Sequence, residues 1–385
     1  MQISQLNLAS DDYGKWRQLL LRVGLRPEQG LDESWGLFES GRLIAAGSRQ
    51  ESILKCIAVA PEHQGGKAFD LIIAQLLQSI RDYQSKKREQ IRRSAAAEIK
   101  GSKVSFPAEI PGWDSIFVYT KAASAEAFSW FGFEILASVD SQLVFMERPG
   151  ESGGLQNYLK FLTARTQDWQ KNQPDFAVDK PFPSTGGQPP VSSIVMHANP
   201  FTLGHLYLAE RAAEESSLVH LFILSEESPD FPSADRLRIV EETTGRISNL
   251  IVHPSGPYLV SAATFPSYFI PTEDKVTALQ AQLDAKIFLS HIAPALSIQR
   301  RYVGTEPLSN ATNLYNEAMK AVFANELELV IVPRFQSADG QPVSASGVRG
   351  LYREENWQEL AKLVPPATLA YLKEHWNEGV QEHGE

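Results

Sequence analysis

The chain reads as an α/β protein in two parts: an N-terminal α+β domain, then a domain built on a doubly wound parallel sheet. Three observations predict this. The stretch KNQPDFAVDKPFPSTGGQPP at 171–190 holds five prolines and two glycines with no hydrophobic periodicity, so it reads as a linker. After it, short apolar runs alternate with helical segments, as parallel strands covered on both faces require. Before it, strand and hairpin patterns surround one long amphipathic segment. A chain of 385 residues accommodates two or three domains.

Residues 1–150 are expected to form the first domain. It opens with a helix at Asp12–Gly24, a hairpin WGLFESGRLIAAGSR turning at Ser40-Gly41, and a strand SILKCIAVAP. Beyond Pro61, the residues Phe69, Ile72, Ile73, Leu76, Leu77 and Ile80 recur at helical spacing. A polar, basic stretch at 84–103 interrupts the pattern. The strand IFVYT, the helix SAEAFSWF, a Gly-Phe turn and the strands EILASV and SQLVFME complete the domain near Arg148. Residues 151–190 then read as a helix followed by the linker, and 191–385 as the second domain. Its strands are SIVMHA, VHLFILS, NLIVHP, RRYVGT and LELVIVPR, and helical segments close the chain.

Composition narrows the function classes. Asp plus Glu number 46 against 36 Lys plus Arg, a formal charge of −10, which argues against a general nucleic-acid binder. At 43% hydrophobic and 21% charged residues, the chain has ordinary globular composition. One cysteine, Cys56, excludes an internal disulfide and favours a reducing compartment. Neither a signal-peptide pattern at the N-terminus nor an 18-residue apolar run is present, so cytoplasm is expected and membrane insertion is not. Cys56 lies in an apolar strand and reads as a small core residue. The eight histidines show no H-x-x-x-H spacing, and no structural zinc is expected.

Ligands of parallel sheets bind outside the carboxyl ends of the strands, and anions favour helix N-termini. Asn199-Pro200-Phe201-Thr202-Leu203-Gly204-His205 sits at such a place. Gly204 lets a phosphate approach the backbone, while Thr202 and His205 can donate to charge building on an α-phosphate. The same segment also reads as a helix that simply starts with Gly-His. Near the other end, PVSASGVRGLY offers Ser344 and Ser346 as capping hydroxyls and Arg349 one turn in. An ordinary capped helix with a surface arginine is the alternative. His197 either faces the site or is a tolerated strand residue.

Together the two segments, about 140 residues apart, resemble the paired motifs of the HxGH nucleotidyltransferases, whose fold is Rossmann-like. The ordered blocks VMHANPFTLGHLYLAERAA, FPSADRLRIVEE, SGPYLVSAATFPSYFI, YVGTEPLSNATNLYNEAM and VSASGVRGLY are more specific. They resemble the carboxyl-terminal half of citrate lyase ligase. The resemblance implies an ATP- and Mg²⁺-dependent enzyme that couples acetate, through acetyl-adenylate with release of pyrophosphate and AMP, to the phosphopantetheine-type thiol on the acyl carrier subunit of citrate lyase. Thr202, His205 and Arg349 become the expected catalytic residues. Asn199, Pro200, Phe201, Gly204, Gly304, Thr305, Glu306, Ser344 and Ser346 become the expected nucleotide contacts. Tyr258, Ser261, Thr264, Phe265 and Tyr268 line an acid or pantetheine pocket or, alternatively, pack a core. Asp235 and Arg236 read as a structural pair, and Ser225 stands where the family pattern commonly has a lysine.

The first domain resembles a GNAT-type acetyltransferase whose phosphate-binding turn, Gln64-Gly65-Gly66-Lys67-Ala68-Phe69, carries Lys67 and Phe69 in place of small residues. A domain that no longer transfers acetyl groups is expected. The basic stretch 81–103 is either a solvated segment or a surface that steers an acidic carrier protein. Three other functions stay open: the same ligase chemistry on another carrier, such as that of malonate decarboxylase; AMP transfer to a phosphorylated metabolite; and a nucleotide-binding assembly subunit without turnover.

Overall fold

The computed structural model describes residues 1–98, 110–172, 189–228, 230–259, 265–270, 272–305, 310–337 and 340–382. The chain forms two compact units, Met1–Tyr158 with Val260–Ile287, and Leu159–Leu259 with Phe288–Glu385. This differs from an expected division into 1–150, 151–190 and 191–385. Residues 260–287 fold with the first unit because Phe265 and Tyr268 are buried there, against Tyr119 and against a core of Trp16, Leu20, Leu43 and Cys56. Most of the expected linker, 173–188, lies outside the described residues.

Unit 1 is built on a seven-stranded sheet of β1 (Gln2–Gln5), β2 (Glu33–Glu39), β3 (Arg42–Gln50), β4 (Ile53–Val59), β5 (Ile116–Thr120), β6 (Glu134–Val139) and β7 (Leu143–Arg148), in the order β1-β2-β3-β4-β5-β7-β6. The β2–β3 hairpin turns through Ser40 and Gly41 with φ of 49° and 78°, the two positive values that a tight hairpin turn demands. The helix Ala68–Glu98 buries Ile72, Ile73, Leu76, Leu77 and Ile80 against the sheet. Gly47 permits this close approach, since a Cβ there would lie 2.6 Å from Leu76. The basic stretch does not interrupt that helix, which runs on to Glu98; no Pro or Gly occurs before Gly101 to stop it.

Cys56 sits at a bulge in β4 with φ of 52° and is buried, and burial pushes its thiol pKa up. The adjacent Lys55 is also buried, and its ammonium pairs with Glu28 at 2.6 Å. Beyond the two paired positions Ile53–Phe117 and Leu54–Val118, β4 and β5 diverge. A cavity of about 780 Å³ opens beside them, lined among others by Gln64, Gly65, Lys121, Trp130 and Tyr268.

Unit 2 carries a five-stranded parallel sheet of β8 (Val191–Met196), β9 (Leu218–Ile223), β10 (Leu250–Pro254), β11 (Arg300–Gly304) and β12 (Glu328–Val332), in the order β10-β9-β8-β11-β12. The chain winds outward from β8 to β10, then crosses to β11 and β12 on the other side. Strand order therefore reverses between β8 and β11, and the crevice outside their carboxyl ends is where such a sheet takes a ligand. Two loops meet there, Ala198–Thr202 after β8 and Thr305 after β11. Among the described residues no helix is long and apolar enough to cross a membrane.

In this sheet His220 of β9 and His253 of β10 are fully buried, Nδ1 of the first 2.9 Å from Nε2 of the second. Their outer nitrogens lack partners. Burial holds His220 at about 3 and lowers His253 as well, with His220 and Arg165 adding to the effect on His253. Both are neutral when folded and bind protons when unfolded. Their contribution to stability is thus complete above the unfolded value near 6.5 and is lost as pH falls toward the folded values. Unfolding free energies from denaturant titration are expected to fall steadily from pH 7 to pH 5, with a slope approaching about 1.4 kcal/mol per pH unit for each group fully charged in the unfolded chain. A His253→Gln variant, whatever its absolute stability, should show a shallower slope; an unchanged slope would contradict the assignment.

Candidate active site at the switch point

The helix Leu203–Glu214 begins at the carboxyl end of β8, and its first turn is self-organised. Thr202 is the N-cap: its hydroxyl accepts from the His205 N–H at 3.4 Å, while the Thr202 N–H donates to Nδ1 of His205 at 3.0 Å. This capping box fixes the tautomer, because a ring whose Nδ1 accepts carries its proton on Nε2. Phe201 stacks on the imidazole at 5.6 Å. Burial, followed by the nearby Arg334 and His197, holds His205 at about 4. At neutral pH the site presents an uncharged N–H donor from Nε2.

Three arginines serve different purposes around this turn. Arg236, on the helix Ser233–Thr244, is buried to 1% exposure, and its guanidinium donates to the carbonyls of Phe231 at 3.0 Å, His197 at 2.6 Å and Glu226. It fastens the loop after β8 to the loop after β9. The expected pairing of Asp235 with Arg236 is not what forms: successive helix residues face different ways, and Asp235 instead pairs with Arg238 at 3.1 Å and accepts from the Tyr371 hydroxyl at 3.3 Å. Arg349, on the helix Ala345–Arg353, donates to the Asn199 carbonyl. Ser344 caps that helix by accepting from the Gly347 N–H at 3.1 Å, with Ser346 Oγ 3.2 Å from its hydroxyl.

Thus Asn199, Pro200, Phe201, Thr202, Gly204, His205 and Arg349 are brought together, with Ser344 close by. Gly204 has a packing reason beside any ligand: a Cβ there would lie 3.3 Å from the Val343 carbonyl, just ahead of Ser344. Thr305 joins the same crevice, its hydroxyl accepting from the Arg334 N–H at 3.1 Å, and Gly304 precedes it in open space. Glu306 lies outside the described residues. Among the described residues two buried polar atoms in the loop have no hydrogen-bond partner, Oδ1 of Asn199 and Nε2 of His197, the latter 3.8 Å from a Glu226 carboxylate oxygen. Burial, then Arg236, lowers the His197 pKa, so this ring is neutral too.

Arg334 was not evident from motif spacing, yet it stands next to His205 electrostatically. Its signal was positional: it follows the last parallel strand, at the carboxyl end where ligands bind. Ser225 ties strand ends together, its N–H donating to Ser255 Oγ at 2.9 Å and its hydroxyl accepting from Gly256 N–H at 3.1 Å. The residues expected to line an acid or pantetheine pocket fall in different places. Tyr258 is fully buried, Phe265 and Tyr268 belong to unit 1, and Ser261 and Thr264 lie outside the described residues. Tyr268 lines the cavity beside β4 and β5 and donates to the Tyr119 carbonyl at 3.4 Å. In the first turn of the long helix, Phe69 packs edge-on against Phe128 and Phe131 at 5.4 and 5.9 Å. Among the described residues no three His, Cys, Asp or Glu side chains gather as metal ligands.

The second unit is thus a doubly wound parallel sheet with a neutral imidazole donor and arginines at its switch point. Residues 191–372 match the family model described as the citrate lyase ligase C-terminal domain. The citrate (pro-3S)-lyase ligase of Klebsiella pneumoniae is 34% identical over 336 residues, covering 86% of this chain and 84% of that protein. Its counterpart in Escherichia coli K12 is 33% identical over 338 residues, 86% of this chain and 82% of its own. The chain belongs to the citrate lyase ligase family, a family of ligases. Among solved structures, Thermotoga maritima TmcAL bound with alpha-thio ATP aligns with a TM-score of 0.29 and 16% identity over 49% of this chain and 56% of that one.

Arg236 and Arg349 are expected to separate in their effects. Arg236→Leu leaves three buried carbonyls without donors, at about 1–3 kcal/mol each, and should lower unfolding free energy by at least about 3 kcal/mol. Arg349→Ala frees one carbonyl in a partly exposed place and should cost no more than about 1 kcal/mol. Urea unfolding of the two variants checks the contrast.

Proposed function

We propose that this chain is an ATP-dependent ligase that activates citrate lyase by acetylating the phosphopantetheine-type thiol of its acyl carrier subunit. A carboxylate oxygen of acetate attacks the α-phosphorus of ATP and pyrophosphate leaves. The thiol sulfur then attacks the acetyl carbonyl carbon, AMP leaves, and the thiol proton passes to solvent. The observation that carries this reading is the Thr202–His205 turn with Arg349 tied to the loop carbonyl beside it, in a chain of this family.

The chemistry asks for positioning and charge stabilisation rather than covalent participation. The neutral Nε2–H of His205 donates to the oxygen on which charge grows. The helix N-terminus it belongs to adds a favourable dipole. Arg334 and Arg349 supply positive charge for the phosphate chain, and Ser344 and Ser346 supply hydroxyls. Mg²⁺ fits here as the counter-ion that ATP brings with its phosphates, neutralising charge on them, and no protein cage is required for it. Unit 1, with Phe69 filling the turn, serves docking or structure in this reading rather than acetyl transfer.

ATP–pyrophosphate exchange tests the first half-reaction. Exchange should require acetate and fall about 100-fold or more in His205→Ala, as for other lost transition-state donors. Because His205 is held at about 4, its hydrogen-bonding form is complete from pH 6 to 8, and the wild-type exchange rate should show no inflection near 6.5 attributable to it. Exchange without acetate, or none with acetate and carrier both present, would sink the reading.

A further inference from the structure

Unit 1 holds a positively charged recess that the ligase chemistry does not use. On the helix Ala68–Glu98, Arg81, Gln84, Ser85 and Arg88 stand at i, i+3, i+4 and i+7 and so share a face. That face walls a cavity of about 490 Å³, closed on other sides by Trp113, Asp114 and the segment Arg148–Glu151. A second cavity of about 440 Å³ shares Arg81 and Arg148 and continues toward Phe131 and Gly132.

The walls are fixed. The Gln84 amide donates to Ser52 Oγ and to the Asp114 carbonyl, both at 3.0 Å, which pins the helix to the entry of β5. Asp114 accepts from the Ser152 hydroxyl and N–H. Gly150 packs so closely that a Cβ would lie 2.4 Å from the Asp114 side chain.

Among the described residues the three guanidiniums of the recess face two carboxylates, Asp114 and Glu151, and both of these lie nearest Arg88. Arg88 lies over the Trp113 ring at 5.0 Å and reaches Asp114 and the exposed Glu151 only at 4.0 and 3.7 Å. Arg81 and Arg148 make no side-chain hydrogen bond or ion pair with any described residue. Burial, and then the facing charge of Arg81, weakens the hold of Arg148 on its proton. Two guanidiniums kept near each other without a counter-ion oppose folding, and a bound anion relieves that opposition.

We propose that this recess is a binding site for a small organic or inorganic polyanion, in which Arg81 and Arg148 grip one anionic group and Arg88 a second. Guanidiniums suit carboxylate and phosphate oxygens through paired, planar hydrogen bonds. A concave cavity of about 490 Å³ matches small ligands rather than a flat macromolecular contact. Polycarboxylates and phosphates share this chemistry, and two probes distinguish them: citrate and inorganic pyrophosphate.

Isothermal titration of the full-length chain at fixed ionic strength, with each probe separately, tests the proposal. At least one probe should bind with Kd below about 1 mM, and Arg81→Gln combined with Arg148→Gln should weaken that binding about tenfold or more. The Lys–Lys double replacement should retain part of it. Binding of citrate alone assigns the site to polycarboxylates, and pyrophosphate binding lost in the Gln variant assigns it to phosphates. Pyrophosphate also suits unit 2, so only binding lost in the Gln variant counts. Neither probe binding, or equal binding by wild type and the Gln variant, overturns the proposal. The Gln variant should melt no lower than wild type; should it melt lower, a Lys–Lys variant that melts with wild type and still loses all probe binding overturns the proposal as well.

Discussion

The arrangement at the switch point depends on one buried guanidinium. Loops at the carboxyl ends of parallel strands have carbonyls that no strand neighbour satisfies, and burying them without donors is costly. Arg236 answers carbonyls from His197, Glu226 and Phe231 at once. With the backbone on both sides held, the stretch from His197 to Thr202 can leave Oδ1 of Asn199 and Nε2 of His197 without hydrogen-bond partners among the described residues. A looser loop would collapse onto those atoms. Burying a charge for this purpose is expensive, and its pKa is lowered by that burial. The carbonyl dipoles compensate because three of them converge on one planar donor.

Much of unit 2 was legible in the sequence because its signals are local. Each parallel strand is a short apolar run and a helix follows each, so SIVMHA, VHLFILS, NLIVHP, RRYVGT and LELVIVPR all became strands. Thr202 and His205 were legible for the same reason: a capping box spans only four residues. Arg349 could be named but not placed, because its contact with the Asn199 carbonyl links positions 150 apart in sequence. Asp235 and Arg236 show the opposite failure. Their adjacency suggested a pair, whereas helix geometry sends neighbouring side chains to different partners.

The segment 260–287 was the hardest to read. Its aromatic residues fit a pocket lining and a core equally well, since periodicity reports amphipathicity and not which core is filled. Tyr268 turns out to belong with Trp16, Leu20 and Cys56. Its hydroxyl donates to the Tyr119 carbonyl on β5, and its ring packs in the same core as Cys56 of β4. These are the two strands that diverge after Leu54 and Val118. Diverging parallel strands expose unpaired N–H and C=O groups, and a phenol is among the few side chains that carry both an apolar ring and a bonding tip. The insertion of a tyrosine from a distant part of the chain therefore gives the Tyr119 carbonyl, beyond the paired positions of β5, a donor.

The electrostatic character of the site follows from where its imidazoles sit. A histidine free in water would be partly charged at neutral pH, and a phosphate chain would charge it further. Here the capping box turns Nδ1 inward as an acceptor, and burial beside Arg334 disfavours a second proton. Positive charge is delegated to arginines, which keep it at every physiological pH. The imidazole contributes direction instead: one N–H, fixed by the backbone of its own helix, in a tautomer the fold determines. Separating charge from direction makes the donor insensitive to pH across the working range, while the buried pair at His220 and His253 makes the stability of the same sheet sensitive to it.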